Sequence, residues 1–173
     1  MTRTDVDTTE FNPYYALYIG LVDQSLHLVE ALEKGGSATV AFFKTIPEGK
    51  LDYRYAEGKW TPKEILLHLI DTERIFSYRA LRFSRNDFTE LVGFDQDELM
   101  EYCGASKRTL ESLLEEYVAV RAASVALYKN LTDIQLEARG VASASELSCR
   151  AAGFIIAGHE RSHIAVLKER YLN

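Results

Sequence analysis

Residues 61–85, T-P-K-E-I-L-L-H-L-I-D-T-E-R-I-F-S-Y-R-A-L-R-F-S-R, carry the strongest helix signal in the chain. Thr61 is a favourable N-cap, Pro62 suits the first helical position, and Glu64 can complete a capping box with the threonine. Apolar side chains then recur every three or four residues, which predicts a long helix with one face toward a core. That inward face comprises Ile65, His68, Leu69, Thr72, Ile75 or Phe76, and Arg79.

Another long helix is predicted near the start of the chain. Asn12 can cap it, and Pro13 again occupies the first helical position. Gly35 and Gly36 should end this helix, because glycine readily takes the left-handed conformation found after a helix. A shorter helix is then expected over residues 37–46. The apolar stripe of the first helix comprises Tyr14, Leu17, Leu21, Leu28 and Leu32.

Two further long helices are predicted in the second half of the chain. Residues 106–130 repeat apolar side chains at helical spacing, with a serine as the expected cap. Ser143 and Glu146 can form a capping box that opens a last helix, which should run to about residue 171. A short helix is expected near residues 96–102. Four long amphipathic helices predict an all-α four-helix bundle, and the long segment between its second and third helices predicts a crossover connection.

Length and composition indicate one compact domain. The chain has 173 residues, of which 47% are hydrophobic, which is sufficient for a sizeable core. We expect a disordered tail over the polar residues 1–10, followed by a single domain over residues 11–173. The net charge of −6, without a lysine- or arginine-rich stripe, argues against nucleic acid as a partner.

Cysteine content and hydropathy bear on the cellular compartment. Cys103 and Cys149 are the only two cysteines, and two distant cysteines do not make a disulfide framework. No apolar run reaches the roughly 18 residues that are needed to cross a bilayer. Residues 1–10 also lack the apolar stretch of a signal peptide. These features predict a cytoplasmic protein that does not act at a membrane.

Three of the four histidines lie on predicted inward helix faces. His159 and His163 are four residues apart, so a helix places both imidazoles on one face with Cβ atoms about 5–6 Å apart. If the last helix packs against the helix over residues 61–85, His68 converges with them on one divalent metal. Two alternatives stay open: an inward histidine is often satisfied within a core, and a pair at this spacing also arises by chance. His27 lies off the apolar stripe and is expected to be exposed.

Three ligands without an evident fourth are typical of a catalytic metal site, which keeps one position open. Cys149 lies about 15 Å from His159 along a continuous helix, which is too far for a fourth ligand. The protease motif H-E-x-x-H is absent, because the second histidine comes one residue too late. The nearby carboxylates either form surface salt bridges with Arg74 or Arg161, or they orient a ligand imidazole and move protons. These carboxylates are Asp71, Glu73 and Glu160.

Two long segments and one loop resemble the DinB/YfiT-like family. The segments are L-D-Y-R-Y-A-E-G-K-W-T-P-K-E-I-L-L-H-L-I-D-T-E-R-I-F-S-Y-R-A-L-R-F-S-R-N-D at residues 51–87 and F-I-I-A-G-H-E-R-S-H-I-A-V-L-K-E-R-Y-L at residues 154–172. The loop is L-V-G-F-D-Q at residues 91–96. Agreement in register makes the resemblance specific, although the first helix fits by pattern only. Two departures are Ser162, where many relatives have histidine, and Val92, where proline is common.

The resemblance implies a fold, an assembly and a site. It implies a four-helix bundle with an unusual crossover topology, often a homodimer, for which the apolar run at residues 40–43 is a candidate contact. It also implies a three-histidine metal site that maps onto His68, His159 and His163. Relatives include proposed metal-dependent hydrolases and thiol-dependent S-transferases. The serine at position 162 removes a further base that many relatives place beside the ligands.

Two hypotheses about function follow from these features. The first is a metalloenzyme with one zinc, nickel or iron ion, which hydrolyses a small-molecule substrate or transfers a group to a low-molecular-weight thiol. The second is a non-catalytic stress-response protein that binds a metal or a small ligand. An open position on the metal favours the enzyme, whereas the lack of an identifiable acid/base residue favours the binding protein.

Overall fold

The computed structural model describes residues 1–172 and is mainly helical. Short 3-10 turns and one β-hairpin accompany the α-helices. Within the described residues the elements are α1 (Ala16–Gly20), α2 (Leu28–Phe43), α3 (Pro62–Ser84), α4 (Gln96–Glu101), α5 (Leu110–Lys129), α6 (Asp133–Glu137), β1 (Arg139–Ala142), β2 (Ser145–Ser148) and α7 (Cys149–Tyr171).

The four long helices α2, α3, α5 and α7 form the predicted four-helix bundle. Helix α3 packs against both α7 and α5, and α2 packs against the same two helices. Consecutive helices α2 and α3 therefore lie diagonally opposite each other, as do α5 and α7. The chain therefore crosses the bundle diagonally twice, from α2 to α3 and from α5 to α7. The long segment between α3 and α5 joins two neighbouring helices. A chain that crosses the bundle diagonally brings α3 and α7, which are distant in sequence, side by side.

The predicted start of α3 is confirmed in detail. The Thr61 side chain accepts a hydrogen bond from the Glu64 amide at 3.2 Å, and Glu64 accepts one from the Thr61 amide at 2.7 Å. Pro62 occupies the first turn. This reciprocal cap satisfies amides that the first helical turn cannot pair, so it fixes the register in which the side chains of α3 face the bundle.

The prediction of one continuous first helix was wrong. The chain forms a 3-10 turn, the short α1 and, after a break, α2, which runs through the two glycines that were expected to end it. A Cβ at Gly35 would lie 2.1 Å from Oε1 of Glu160, and one at Gly36 would lie 2.9 Å from Cγ of Arg121. The glycines allow α2 to approach buried side chains of α7 and α5. Tertiary packing, rather than helix termination, explains them.

Two other helix starts also differ from prediction. Helix α7 begins at Cys149 with Ser148 as its N-cap, because the preceding residues 139–148 form a hairpin instead of a first helical turn. Ser143 and Ala144 have φ angles of 54° and 56°, as the turn of a two-residue hairpin requires. The N-cap of α5 is Thr109. The short helix expected near residues 96–102 is confirmed as α4.

The first ten residues differ from the disordered tail expected of them. They form two 3-10 turns and place Glu10 in the interior, fully buried. Glu10 accepts hydrogen bonds from Ser148 at 2.7 Å and from Arg150 at 2.6 Å, so a buried ion pair attaches this segment to the start of α7. His27 is exposed, as predicted, and its Nδ1 lies 2.8 Å from the Met1 nitrogen.

The core consists of two apolar clusters that a layer of polar side chains separates. One cluster includes Phe83, Tyr128 and the first half of α7, and the other includes the first half of α3 and Leu167. Between them lie buried polar side chains of α3, α5 and α7, among them His68, Glu73, Arg121, His159 and Glu160. No helix within residues 1–172 is long and apolar enough to cross a membrane.

Candidate metal centre

The three predicted histidines meet between α3 and α7. Nε2 of His159 lies 3.2 Å from Nε2 of His68 and 3.0 Å from Nε2 of His163. One ligand atom from each residue lies within 4.8 Å of the other two. His68 and His159 are buried, at 3% and 7% exposure, and His163 is half-buried. The group therefore faces inward but reaches the protein surface at one side.

Each helix positions its histidines through its own packing. His68 lies on the face of α3 that packs on α7, in the register that the Thr61 cap establishes. His159 and His163 are one turn apart on α7, so their rings share one face; their centroids are 4.5 Å apart. The Trp60 ring lies 4.7 Å from the His68 ring and 6.5 Å from that of His163, covering one side of the group.

Burial keeps the three imidazoles neutral. Loss of solvent, and then the nearby His163, lowers the pKa of His68 from 6.5 to about 3. Burial lowers the pKa of His163 to about 4, and it holds the pKa of His159 well below its usual value. A neutral imidazole has a free nitrogen lone pair, which is the form that binds a metal.

The donor set fits a divalent transition metal. Two nitrogens at about 2.0–2.1 Å from a tetrahedral zinc ion lie roughly 3.3 Å apart, close to the 3.0 and 3.2 Å between the ring nitrogens here. His159 Nε2 has one proton or one lone pair, so it cannot make a full hydrogen bond to both His68 and His163. A shared cation satisfies all three nitrogens at once and leaves a coordination position open.

Two cavities flank the histidines. The smaller, about 110 Å³, contacts His68 and His159, and the larger, about 310 Å³, contacts His163. Gln96 at the start of α4 borders both cavities. Among the described residues that line them, the sole carboxylate is Asp97, in the larger cavity. A ligand in the smaller cavity therefore lies beside His68 and His159, and a ligand in the larger cavity lies beside His163.

Tyrosines of the N-terminal segment line the smaller cavity, and sequence reasoning missed them. Tyr14, Tyr15 and Tyr18 all border it. The Tyr18 ring lies edge-on to the His159 ring at 5.2 Å, and its hydroxyl is 3.3 Å from that of Tyr14. Burial raises the pKa of Tyr18, so its hydroxyl stays protonated. The sequence pattern had placed only Tyr14 of the three on the apolar stripe of the first helix, and the break after α1 interrupts that stripe.

Glu73 and Glu160, which are close to the histidines in sequence, belong to a different group of buried side chains. Glu73 and Glu160 are fully buried and both accept hydrogen bonds from Arg121, at 2.8 Å from Nε and from Nη2 respectively. Glu160 also accepts hydrogen bonds from Tyr117 and Thr39. We call these five residues the arginine–carboxylate cluster. Sequence reasoning missed Arg121 as the partner, because α5 is distant in sequence and supplies no motif.

Asp71 differs from the other two carboxylates. Its Oδ1 lies 3.5 Å from Arg74 one turn later, and both side chains are partly exposed. This contact matches the surface salt bridge that the sequence offered as one interpretation. Arg161 donates instead to the Leu21 carbonyl at 2.9 Å. Within residues 1–172, none of the three carboxylates is hydrogen-bonded to His68, His159 or His163. The alternative in which they orient a ligand imidazole is therefore not what the structure has.

Comparison with known proteins places the chain in a family. The model of the DinB superfamily matches residues 31–167. YfiT from Bacillus subtilis, described as a probable metal-dependent hydrolase with an unusual four-helix bundle topology, has the same fold. The TM-score is 0.75 at 18% sequence identity, and the match covers 92% of this chain and 91% of YfiT. A search of curated proteins finds no match. From the extent of the family match, the chain belongs to the DinB superfamily.

Proposed function

We propose that this protein is a metal-dependent enzyme, with one divalent transition metal held by Nε2 of His68, His159 and His163. The observation that carries the proposal is the convergence of three neutral ring nitrogens from two helices, beside cavities that a small molecule can enter. The description of YfiT as a probable metal-dependent hydrolase supports the same class of chemistry. Zinc, nickel and iron all suit an imidazole donor set.

The proposed reaction is hydrolysis or transfer to a low-molecular-weight thiol. A bound metal would supply a Lewis acid that lowers the pKa of a water or thiol and polarises the electrophile. The chain supplies the surroundings. Thr72 and the protonated Tyr18 hydroxyl offer hydrogen bonds in the smaller cavity, where Phe76 supplies an apolar wall. Trp60 lines the larger cavity. Asp97 is the one carboxylate among the described residues that line the two cavities, so we assign it the role of proton acceptor.

The alternative is a protein that binds a metal and a small ligand without turnover. The lining of the smaller cavity favours it, because the described residues there include tyrosines and a threonine but no carboxylate. Burial raises the pKa of the Tyr15 and Tyr18 hydroxyls, and protonated hydroxyls are poor bases at neutral pH. A ligand in this cavity could bind the metal and react no further.

Turnover screening separates these two functions. Zinc-, nickel- and iron-loaded protein is assayed with esters, amides and pairs of a thiol with an electrophile. We expect metal-dependent turnover of at least one class and its loss in His159→Ala, which removes the nitrogen nearest both partners. His27→Ala is the matched control, since His27 is exposed, is not part of the three-histidine group and lines neither cavity. Full metal uptake with no turnover of any class would favour the binding protein.

The homodimer implied by the family resemblance stays a prediction. Within the apolar run at residues 40–43, Phe43 is fully buried in the core, while Val40 and Phe42 are partly buried. The run therefore offers less apolar surface to a partner than its sequence suggests. Light scattering at micromolar concentration tests the prediction, and a monomeric mass would contradict it.

A further inference from the structure

Arg79 is a buried arginine that has no carboxylate partner within the described residues. Three arginines of this part of the chain are buried, and two of them have acidic partners. Arg121 pairs with two glutamates of the arginine–carboxylate cluster, and Arg150 pairs with Glu10. Arg79, at 2% exposure, lies within salt-bridge distance of no carboxylate among residues 1–172. Burying a charge without a counter-charge costs free energy, so the position of Arg79 needs a physical reason.

The groups in contact with Arg79 are neutral, and the Tyr15 hydroxyl is one of its hydrogen-bond partners. Its Nη2 donates to Oγ of Ser143 at 2.8 Å and lies 3.5 Å from the Val92 carbonyl. The guanidinium lies 5.1 Å from the ring of Phe76 and 5.7 Å from that of Phe94. Hydroxyls, a carbonyl and ring faces stabilise a cation, but none of them neutralises its charge.

Arg79 also lies beside the smaller cavity. Ser143, Phe76 and Phe94 contact Arg79 and line that cavity, and His68 and His159 line it as well. The cavity is thus bordered by the candidate metal ligands and by residues that touch the guanidinium. Arg79 follows His68 by eleven positions on α3, close to three full helical turns, so both lie on one face about 16 Å apart along the axis. The arginine side chain leans toward the helix N-terminus, which shortens the gap.

We propose that the small-molecule ligand has a carboxylate, which Arg79 binds while the rest of the ligand reaches the metal. This inference rests on the proposed metal site. The Ser143 hydroxyl, already hydrogen-bonded to Nη2, can turn to donate to the same carboxylate. The ligand class is therefore a small organic acid with a second, metal-binding group at the opposite end. Bidentate binding of a carboxylate by a guanidinium supplies both charge and orientation.

Cobalt-loaded protein provides a direct test, because the visible spectrum of cobalt changes when a carboxylate binds it. Succinate, glutarate, adipate, pimelate and suberate are titrated against monocarboxylates of equal chain length. One carboxylate of each probe binds the metal, and only the dicarboxylates have a second one for Arg79. We expect at least one dicarboxylate to bind about tenfold more tightly than its monocarboxylate, in line with a charged hydrogen bond.

Variants assign that preference to Arg79. Arg79→Gln should bring dicarboxylate affinity down to that of the monocarboxylates, with monocarboxylate affinity unchanged. Arg74→Gln, on the same helix but half-exposed, is the control for loss of charge and should keep the preference. Ser143→Ala leaves Arg79 in place and should reduce the preference severalfold, which keeps the test available if Arg79→Gln does not fold. A merely structural Arg79 would lower the melting temperature without changing the ratio of affinities.

The outcomes separate this inference from the proposed function. Cobalt uptake with equal binding of mono- and dicarboxylates would overturn the inference and leave the metal site standing. A preference that persists in both Arg79→Gln and Ser143→Ala would also overturn it. A wild-type protein that takes up no cobalt would overturn the metal site, and this inference with it.

Discussion

The histidine group and the arginine–carboxylate cluster occupy the same polar layer of the bundle but differ in how their polar atoms are satisfied. In the cluster, the Arg121 guanidinium donates to both Glu73 and Glu160 at 2.8–2.9 Å. In the histidine group, three neutral rings point toward one another, and the Nε2 atom of His159 faces two partners. The cluster pairs its charges within the chain, whereas the three ring nitrogens of the histidine group face one another and would be satisfied together by the proposed cation.

Adjacent residues of α7 belong to these two regions. His159 and Glu160 are successive, and a helix turns about 100° per residue. His159 therefore faces the smaller cavity, and Glu160 faces α5 and α2. Burial alone therefore does not distinguish a structural group from a ligand. The distinction lies in the partners: an internal counter-charge indicates a structural role, and unpaired donor atoms beside a cavity indicate a binding role.

The largest loss of stability is expected when Arg121 is removed from the arginine–carboxylate cluster. Arg121→Ala leaves Glu73 and Glu160 buried without their cation, and removal of one partner of a buried pair costs about 3–5 kcal/mol. Urea unfolding should show that loss. Arg74→Ala, which breaks a half-exposed pair with Glu116, should cost at most about 1 kcal/mol. Equal losses in the two variants would mean that the cluster is not the structural element described here.

The histidine group should stabilise the protein only when it binds metal. With free zinc at about one hundred times its dissociation constant, mass action adds about 2.7 kcal/mol to the free energy of unfolding. His68→Ala should lose most of this gain, since it deletes the only ligand from α3, and His27→Ala should keep it. Thermal melts followed by circular dichroism measure both. Equal metal-induced shifts in His68→Ala and wild type would assign His68 to the core instead.

The apo protein should remain helical throughout these melts. Two apolar clusters on either side of the polar layer supply the core, so the bundle does not depend on metal as a zinc finger does. Loss of helicity on removal of metal would show that the site is structural rather than catalytic.

A smaller loss of stability is expected from crowding the contact between α2 and the arginine–carboxylate cluster. Gly35→Ala places a methyl group 2.1 Å from Oε1 of Glu160, which the arginine–carboxylate cluster holds in place. Such overpacking costs about 1–3 kcal/mol. Gly20→Ala is the matched control in α1, where an added Cβ meets no described atom within 4 Å. If both variants unfold at the same urea concentration, α2 is not in close contact with the cluster.

The smallest predicted effect is a loss of stability of the apo protein at acidic pH. Unfolded imidazoles take up protons below about pH 6.5, whereas folded His163 does so near pH 4 and folded His68 near pH 3. The unfolded state therefore binds more protons between these values, and the stability of the apo protein falls as pH falls. Over the first unit below 6.5 the loss is roughly 1 kcal/mol for each histidine. His68→Leu should show a shallower dependence in urea unfolding from pH 7 to pH 5; an unchanged slope would contradict the burial of this ring.

Sequence patterns located most of the bundle and all three histidines. The α3 cap, the extent of α3 and the spacing of His159 and His163 are local features, which depend on contacts within one or two helical turns. The same reasoning failed at Gly35 and at Ser143. In both places the local signal was genuine, since glycine does end helices and serine with glutamate does cap them, but long-range packing assigned the residues to another use.

The sequence alone determined where helices begin, which faces are apolar and which three histidines point inward, because these properties repeat at the helical period. Only the tertiary structure decided which helices are neighbours. The diagonal course of the chain brings α3 beside α7 and joins Arg121 to Glu73 and Glu160. It leaves Arg79 without an acidic partner among residues 1–172. Charge pairing between distant segments has no period along the chain, since it depends on the arrangement of whole helices in space.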